Sequence, residues 1–83
     1  MSEETAPQIL RRVWVACRDL LAESGGKTIT SYEVARKVQL DHALVAEGLR
    51  SMDYYLFMVP HNAAEGREMY VEVQGLDQEY EAR

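Results

Sequence analysis

Apolar residues recur at steps of three and four between residues 5 and 23, which is the period of an amphipathic helix. Thr5 and Gln8 have the spacing of a capping box at its start, and the glycine pair at 25–26 predicts its end. The stripe expected to face the core contains Ile9, Leu10, Val13, Ala16, Cys17, Leu20 and Leu21. The chain is therefore predicted to begin with one long helix.

Two shorter helices are predicted next. Thr30 and Glu33 repeat the capping-box spacing, which indicates a helix over 31–38 after a short strand anchored by Ile29. Asp41 is a good N-cap for a third helix, over 42–52. The positions expected to face inward are Val34, Ala35 and Val38 in the first of these helices, and Leu44, Val45, Gly48, Leu49 and Met52 in the second.

The periodicity changes after Asp53. The run 54–59 is rich in β-forming residues and is closed by Pro60, the segment 61–66 is a polar loop, and 69–74 alternates with period two. These features predict a two-stranded hairpin. In its second strand the inward residues are expected to be Met69, Val71 and Val73, and the outward residues Tyr70, Glu72 and Gln74.

The first hairpin strand is apolar on both of its faces, which a strand covering a core on one side does not require. Leu56 and Met58 are expected on the core side. The outer side is predicted to carry an apolar patch consisting of Tyr55, Phe57, Val59 and, from the neighbouring strand, Tyr70. Three coverings of this patch are open: the tail docking through Leu76 and Tyr80, a second copy of the chain, or a partner protein.

The order helix, short strand, helix, turn, helix and hairpin resembles that of winged helix-turn-helix domains. Residues 30–59 carry the resemblance, with Leu40 as the apolar residue of the turn between the second and third helices. Gln39 and Asp53 stand where such domains often have glycine. Asp53 is therefore expected to take a strained or left-handed conformation.

The length of 83 residues suits one domain, and the hydrophobic fraction of 47% is too high for a disordered chain of net charge −5. We expect an α+β winged helix-turn-helix fold over 1–75, in which a three-helix core carries a C-terminal two-stranded wing. A short strand between the first two helices is a possible addition. The acidic tail, 76–83, follows the domain and is either docked or frayed.

The resemblance implies a DNA-reading third helix and a wing that touches phosphate. The residues available for such contacts are Lys27, Thr28, Ser31, Arg36, Lys37, His42, Arg50 and Arg67. The charge distribution opposes this function, because residues 1–37 carry a formal charge of +1 and residues 38–83 one of −6. DNA binding is therefore kept as the alternative hypothesis.

No residue pattern indicates catalysis, a cofactor or a metal. Cys17, His42 and His61 lack the spacing of zinc ligands and of a nucleophile with its base. The stretch 24–28 ends like a phosphate loop, but Leu21 occupies the position where that motif requires glycine. Cys17 lies on the predicted core stripe, where a buried thiol acts as a small apolar side chain.

The function expected from the sequence is a non-catalytic interaction module that binds another protein, or forms a homodimer, through the outer face of the hairpin. The alternative is a small winged-helix transcriptional regulator that binds DNA. The acidic N-terminus and the short apolar runs indicate neither a signal peptide nor a membrane span, so we expect a cytoplasmic protein.

Overall fold

Helices and antiparallel strands alternate along the chain in a computed structural model, which describes residues 5–61 and 69–81. In chain order the elements are α1 (Ala6–Glu23), β1 (Ile29–Thr30), α2 (Ser31–Val38), α3 (His42–Ser51), a 3₁₀ helix (Asp53–Tyr55), β2 (Leu56–His61) and β3 (Tyr70–Leu76). This arrangement is a small α+β domain. The predicted loop 61–66 and the wing residue Arg67 lie, apart from His61, outside the described residues.

Both predicted capping boxes are present. The Thr5 N–H donates to Gln8 Oε1 at 2.8 Å, and the Gln8 N–H donates back to Thr5 Oγ1 at 3.4 Å. Thr30 and Glu33 exchange the same two bonds at 2.8 and 3.4 Å. These bonds satisfy N–H groups that the first turn of a helix leaves unpaired. Asp41 occupies the N-cap position of α3 as predicted, but its side chain makes no capping hydrogen bond.

The expected two-stranded hairpin is part of a three-stranded antiparallel sheet in the order β1-β3-β2. The short strand β1 pairs with β3 through Ile29 opposite Val73 and Thr30 opposite Glu72. On its other side β3 pairs with β2, where Val59 lies opposite Glu72, and a bulge interrupts the register between Phe57 and Met58. β1 thereby joins the segment between the first two helices to the C-terminal strands.

The strand boundaries differ from the prediction. Residues Asp53–Tyr55 form a 3₁₀ helix, so β2 begins at Leu56, and it continues through Pro60 to His61. Pro60 is tolerated because β2 is an edge strand. At the other end, β3 extends to Leu76 because its last two residues pair with the start of β2.

The core lies where the three helices meet the inner face of the sheet. Its buried side chains include Val13 and Cys17 from α1, Val34 and Val38 from α2, Val45 and Leu49 from α3, and Val71 and Val73 from β3. Two orientations in α3 differ from the prediction: Leu44, expected inward, is 41% exposed, whereas Ala46, which was not among the residues expected inward, is buried. Met69, expected inward, is exposed because it precedes β3 and lies against Arg50, with Nη2 3.5 Å from Sδ.

The turns that follow α1 and α2 contain residues with positive φ. Gly25 and Gly26 adopt positive φ values of 70° and 91° after α1, as the sequence predicts. Gln39 ends α2 with φ 57° and ψ 44°, in the left-handed region that disfavours residues with a Cβ. The expectation for Asp53 is wrong, because the chain leaves α3 through a 3₁₀ turn and Gln39 is the one non-glycine residue with positive φ among those described.

Close packing of α3 on α1 explains Gly48. A Cβ atom at this position would lie 3.3 Å from Leu10 Cδ2, which is tighter than an ordinary van der Waals contact. Gly48, which the sequence places on the inward side of α3, therefore lies where α3 crosses closely over α1. An internal glycine destabilises a helix by about 1 kcal/mol relative to alanine. Its missing Cβ allows α3 to pack closely on α1.

We expect Leu49→Ala to lower the free energy of unfolding by about 2–5 kcal/mol, because truncating a fully buried Leu removes apolar contact and leaves a cavity. Leu44→Ala is the matched control on the same helix, and its exposed side chain predicts a change below about 1 kcal/mol. Urea unfolding followed by circular dichroism measures both. Equal losses in the two variants would contradict the observed rotation of α3.

We expect Gln39→Gly to raise the free energy of unfolding by about 0.5 kcal/mol. Glycine removes a left-handed strain of roughly 1–2 kcal/mol and adds about 0.5–1 kcal/mol of chain entropy to the unfolded state. Gln39→Val should instead destabilise, because a β-branched residue tolerates this conformation least. The same urea titration tests the pair, and a stabilising valine would show that Gln39 is not left-handed.

Candidate functional site

The two faces of the sheet have different environments. Leu56, Val71 and Val73 point into the core and are buried. On the opposite face Phe57 is 55% exposed and Val59 is 38% exposed. By strand alternation and register this face also carries His61, Tyr70 and Glu72, all partly buried. We call these five residues the outer sheet face: Phe57, Val59, His61, Tyr70 and Glu72.

Three of the four residues predicted for the outer patch lie on this face, and Tyr55 does not. Tyr55 belongs to the 3₁₀ helix, and its ring packs edge-on against Tyr80 at a centroid distance of 4.9 Å and against Trp14 at 6.5 Å. Its carbonyl accepts hydrogen bonds from the N–H groups of Asp77 and Gln78. Tyr55 therefore joins the end of the sheet to α1, because the chain turns before β2 begins.

The tail docks, but not on the outer sheet face. Tyr80 packs against Trp14 at a ring distance of 6.3 Å, and its carbonyl accepts a hydrogen bond from Arg11 Nη1 at 3.1 Å. These contacts lie on the α1 side of the sheet. Since Phe57 and Val59 remain exposed with the chain present through Glu81, the described part of the tail does not cover them.

A row of four rings crosses the edge of the outer sheet face. His61 stacks on Tyr70 with a centroid distance of 4.4 Å and an interplanar angle of 6°. Tyr70 lies 6.1 Å from Tyr32, which stacks on His42 at 3.9 Å. His61 Nε2 also lies 3.4 Å from Glu72 Oε1. The row connects β2 and β3 to the starts of α2 and α3.

Sequence reasoning did not identify this row. The alternation of β3 placed Tyr70 and Glu72 outward, but the position of His61 opposite Tyr70 depends on the register of the two strands. Tyr32 and His42 come together only when α2 and α3 pack. The sequence could have revealed part of the row only if the two predicted hairpin strands had been aligned so that His61 lies opposite Tyr70.

Ser31 is a structural residue and not a surface donor. It is fully buried, and its Oγ accepts a hydrogen bond from the Val71 N–H at 3.0 Å. The same oxygen lies 2.8 Å from His42 Nε2. The Ser31 hydroxyl, expected among the residues available to DNA, is therefore not at the surface, because it is enclosed between α2, α3 and β3. His42 is held by the same hydroxyl and by the stacked ring of Tyr32.

The remaining candidates for DNA contact differ in their exposure and in their neighbours. Lys27, Thr28 and Arg36 are exposed. Lys37 pairs with Glu23 at 3.6 Å. Arg50 is partly buried against Met69 and borders a cavity of about 540 Å³ that Asp41 and Glu47 also line. Arg67 lies outside the described residues. The outward side of α3 thus presents two carboxylates beside its guanidinium.

The one thiol is buried inside the protein. Cys17 is buried in α1, and burial raises the pKa of its thiol to about 12, so a thiolate is absent at neutral pH. Among residues 5–61 and 69–81, no group of three His, Cys, Asp or Glu side chains could hold a metal ion. Within the same described ranges, no helix combines the length and apolar character needed to cross a membrane.

Comparison with known proteins finds no matching family model, no matching curated protein and no matching solved structure. The interpretation of the outer sheet face therefore depends on its geometry, exposure and charge.

We expect Ser31→Ala to lower the free energy of unfolding by about 1–3 kcal/mol, because it leaves the buried Val71 N–H without an acceptor. Ser51→Ala is the matched control: its exposed hydroxyl donates only to the Gly48 carbonyl, and we expect a change within about 0.5 kcal/mol. Thermal or urea unfolding measures both variants. Equal changes in the free energy of unfolding for the two variants would show that the Ser31 hydroxyl does not stabilise the contact between α2 and β3.

Proposed function

We propose that this chain is a non-catalytic winged-helix interaction module that binds protein through its outer sheet face. The winged-helix assignment is supported by the order of elements, helix-strand-helix-helix-strand-strand, and by the strand order β1-β3-β2. The first strand pairs with the last in this arrangement, which brings the C-terminal strands onto the helices. On the outer sheet face Phe57 and Val59 remain exposed.

The observation that carries the proposal is the exposure of Phe57 and Val59, at 55% and 38%, side by side on an edge strand. Covering a large apolar side chain of this kind contributes roughly 1.5–3 kcal/mol. The tail, which is the chain's own candidate cover, is occupied with Trp14 and Tyr55. Since no other segment among residues 5–61 and 69–81 covers these two side chains, their exposure supports a partner molecule as the source of this burial.

We expect the partner to contact the side chains of the outer sheet face more than the backbone groups at the free edge of β2. The Val71 N–H points toward Ser31, away from β2, so alternation directs the backbone groups of Tyr70 and Glu72 toward β2. Pro60, which is opposite Val71, then faces the free edge, where it offers no N–H group. A proline there interrupts the addition of another strand. Binding through side chains is the mode that this geometry favours.

We expect a photoactivatable benzoylphenylalanine at position 57 to form covalent adducts with a protein in living cells of the source organism. The matched control places the same residue at position 44, where Leu44 is also exposed but lies on α3. Val59→Glu, introduced beside the probe, should abolish the adducts because it places a carboxylate in the apolar contact. Adducts of equal yield at both positions, or none at position 57, would contradict the proposal.

The alternative, a DNA-binding regulator of the winged-helix type, rests on the exposed cations Arg36 and Lys37 together with Arg50. It predicts retention on duplex DNA that falls as salt rises and weakens when these three residues are replaced by alanine. The interaction module predicts that the wild type and the triple variant elute together at low salt. Salt-dependent retention lost in the variant would replace the proposal by the alternative.

A further inference from the structure

We infer that the outer sheet face receives a basic, apolar segment of another protein, with a lysine or arginine placed against Glu72 and an aliphatic or aromatic side chain on Phe57 and Val59. This inference rests on the proposed function and adds the chemistry of the partner. The charges of the sheet and of the residues around it carry the argument.

The outer sheet face has a carboxylate and no strong cation. None of the three strands, Ile29–Thr30, Leu56–His61 and Tyr70–Leu76, contains a lysine or arginine. Glu72 lies in the central strand, directly opposite Val59, so its carboxylate adjoins the apolar patch. The imidazole of His61, 3.4 Å from Glu72 and stacked on Tyr70, is the one basic group among the described residues of this face.

The part of the chain that contains the last two strands is acidic as well. The described residues that follow Ser51 contain no lysine or arginine, and their acidic residues are Asp53, Glu72, Asp77, Glu79 and Glu81. The whole segment 38–83 has a formal charge of −6. This excess of negative charge attracts basic segments and orients them as they approach.

A second copy of the chain is a poor occupant. A symmetric dimer brings the outer sheet faces of both subunits together, so two Glu72 carboxylates would approach the same apolar contact. The strands of neither subunit contain a lysine or arginine that could pair with them. Burying two carboxylates whose one described basic neighbour is an imidazole is costly, and each subunit also carries a net charge of −5. A cation supplied by a different protein removes both penalties.

The test is selection of random dodecapeptides displayed on phage against the immobilised full-length protein. We expect the selected peptides to be enriched in lysine or arginine next to aliphatic or aromatic residues, and Phe57→Glu to abolish the selection. In titrations of the best synthetic peptide, Glu72→Lys should weaken binding about tenfold or more. Glu47→Lys is the matched control, since it alters the net charge equally but lies on α3, and it should weaken binding by no more than about twofold.

Circular dichroism of each variant establishes that it is folded, and Glu72→Gln provides a variant of nearly the same shape. Peptides without a basic bias that still require Phe57 would overturn the partner chemistry and leave the interaction module intact. Equal losses of peptide affinity for Glu72→Lys and Glu47→Lys would show that the attraction depends only on the net charge of the protein. That result would overturn the inference. If sedimentation shows a dimer that Phe57→Glu dissociates, the outer sheet face binds a second copy of the chain. That result would overturn the inference. Failure to select any peptide dependent on Phe57, in a monomeric protein, would count against both proposals.

Discussion

The pairing of a two-residue strand with the last strand holds this fold together. β1 contributes only Ile29 and Thr30, yet their pairing with Val73 and Glu72 joins the helical part of the chain to the C-terminal strands. The next residue, Ser31, extends the junction by accepting a hydrogen bond from the Val71 N–H inside the protein. A strand pair this short would be weak in isolation, and it is stable because the core and the Ser31 hydroxyl support it.

This junction also decides which side of the sheet is available for binding. Once Val71 and Val73 face the helices, strand alternation turns Tyr70 and Glu72 to the other side. The register with β2 then places Val59 beside Glu72 and His61 beside Tyr70. The exposed apolar residues and the carboxylate are therefore neighbours because of the strand pairing that closes the core.

The docked tail limits the possible roles of the exposed face. Tyr80 is placed between Trp14 and Tyr55, where it completes an aromatic cluster at the end of the sheet nearest α1. Its position stabilises the end of the domain and leaves Phe57 uncovered. The acidic character of residues 38–83 opposes contact with phosphates and is the reason a basic protein segment is proposed as the partner. This contrast is the physical basis of the proposed function.

The sequence by itself determined the elements governed by local physics. The capping boxes at Thr5 and Thr30 and the turn at the glycine pair 25–26 follow from hydrogen bonds and backbone freedom within a few residues. The two-sided apolar character of β2 was also predictable, since period-two alternation is local.

Only the tertiary structure decided the rest, because it depends on contacts between distant segments. The rotation that buries Ala46 and exposes Leu44 is set by the simultaneous packing of α3 on two helices and the sheet. Tyr55 does not lie on the predicted patch, because it belongs to a 3₁₀ helix and its partly buried ring packs against Tyr80 of the tail. Ser31, read as a surface hydroxyl, became an internal acceptor because β3 approaches it from 40 residues away.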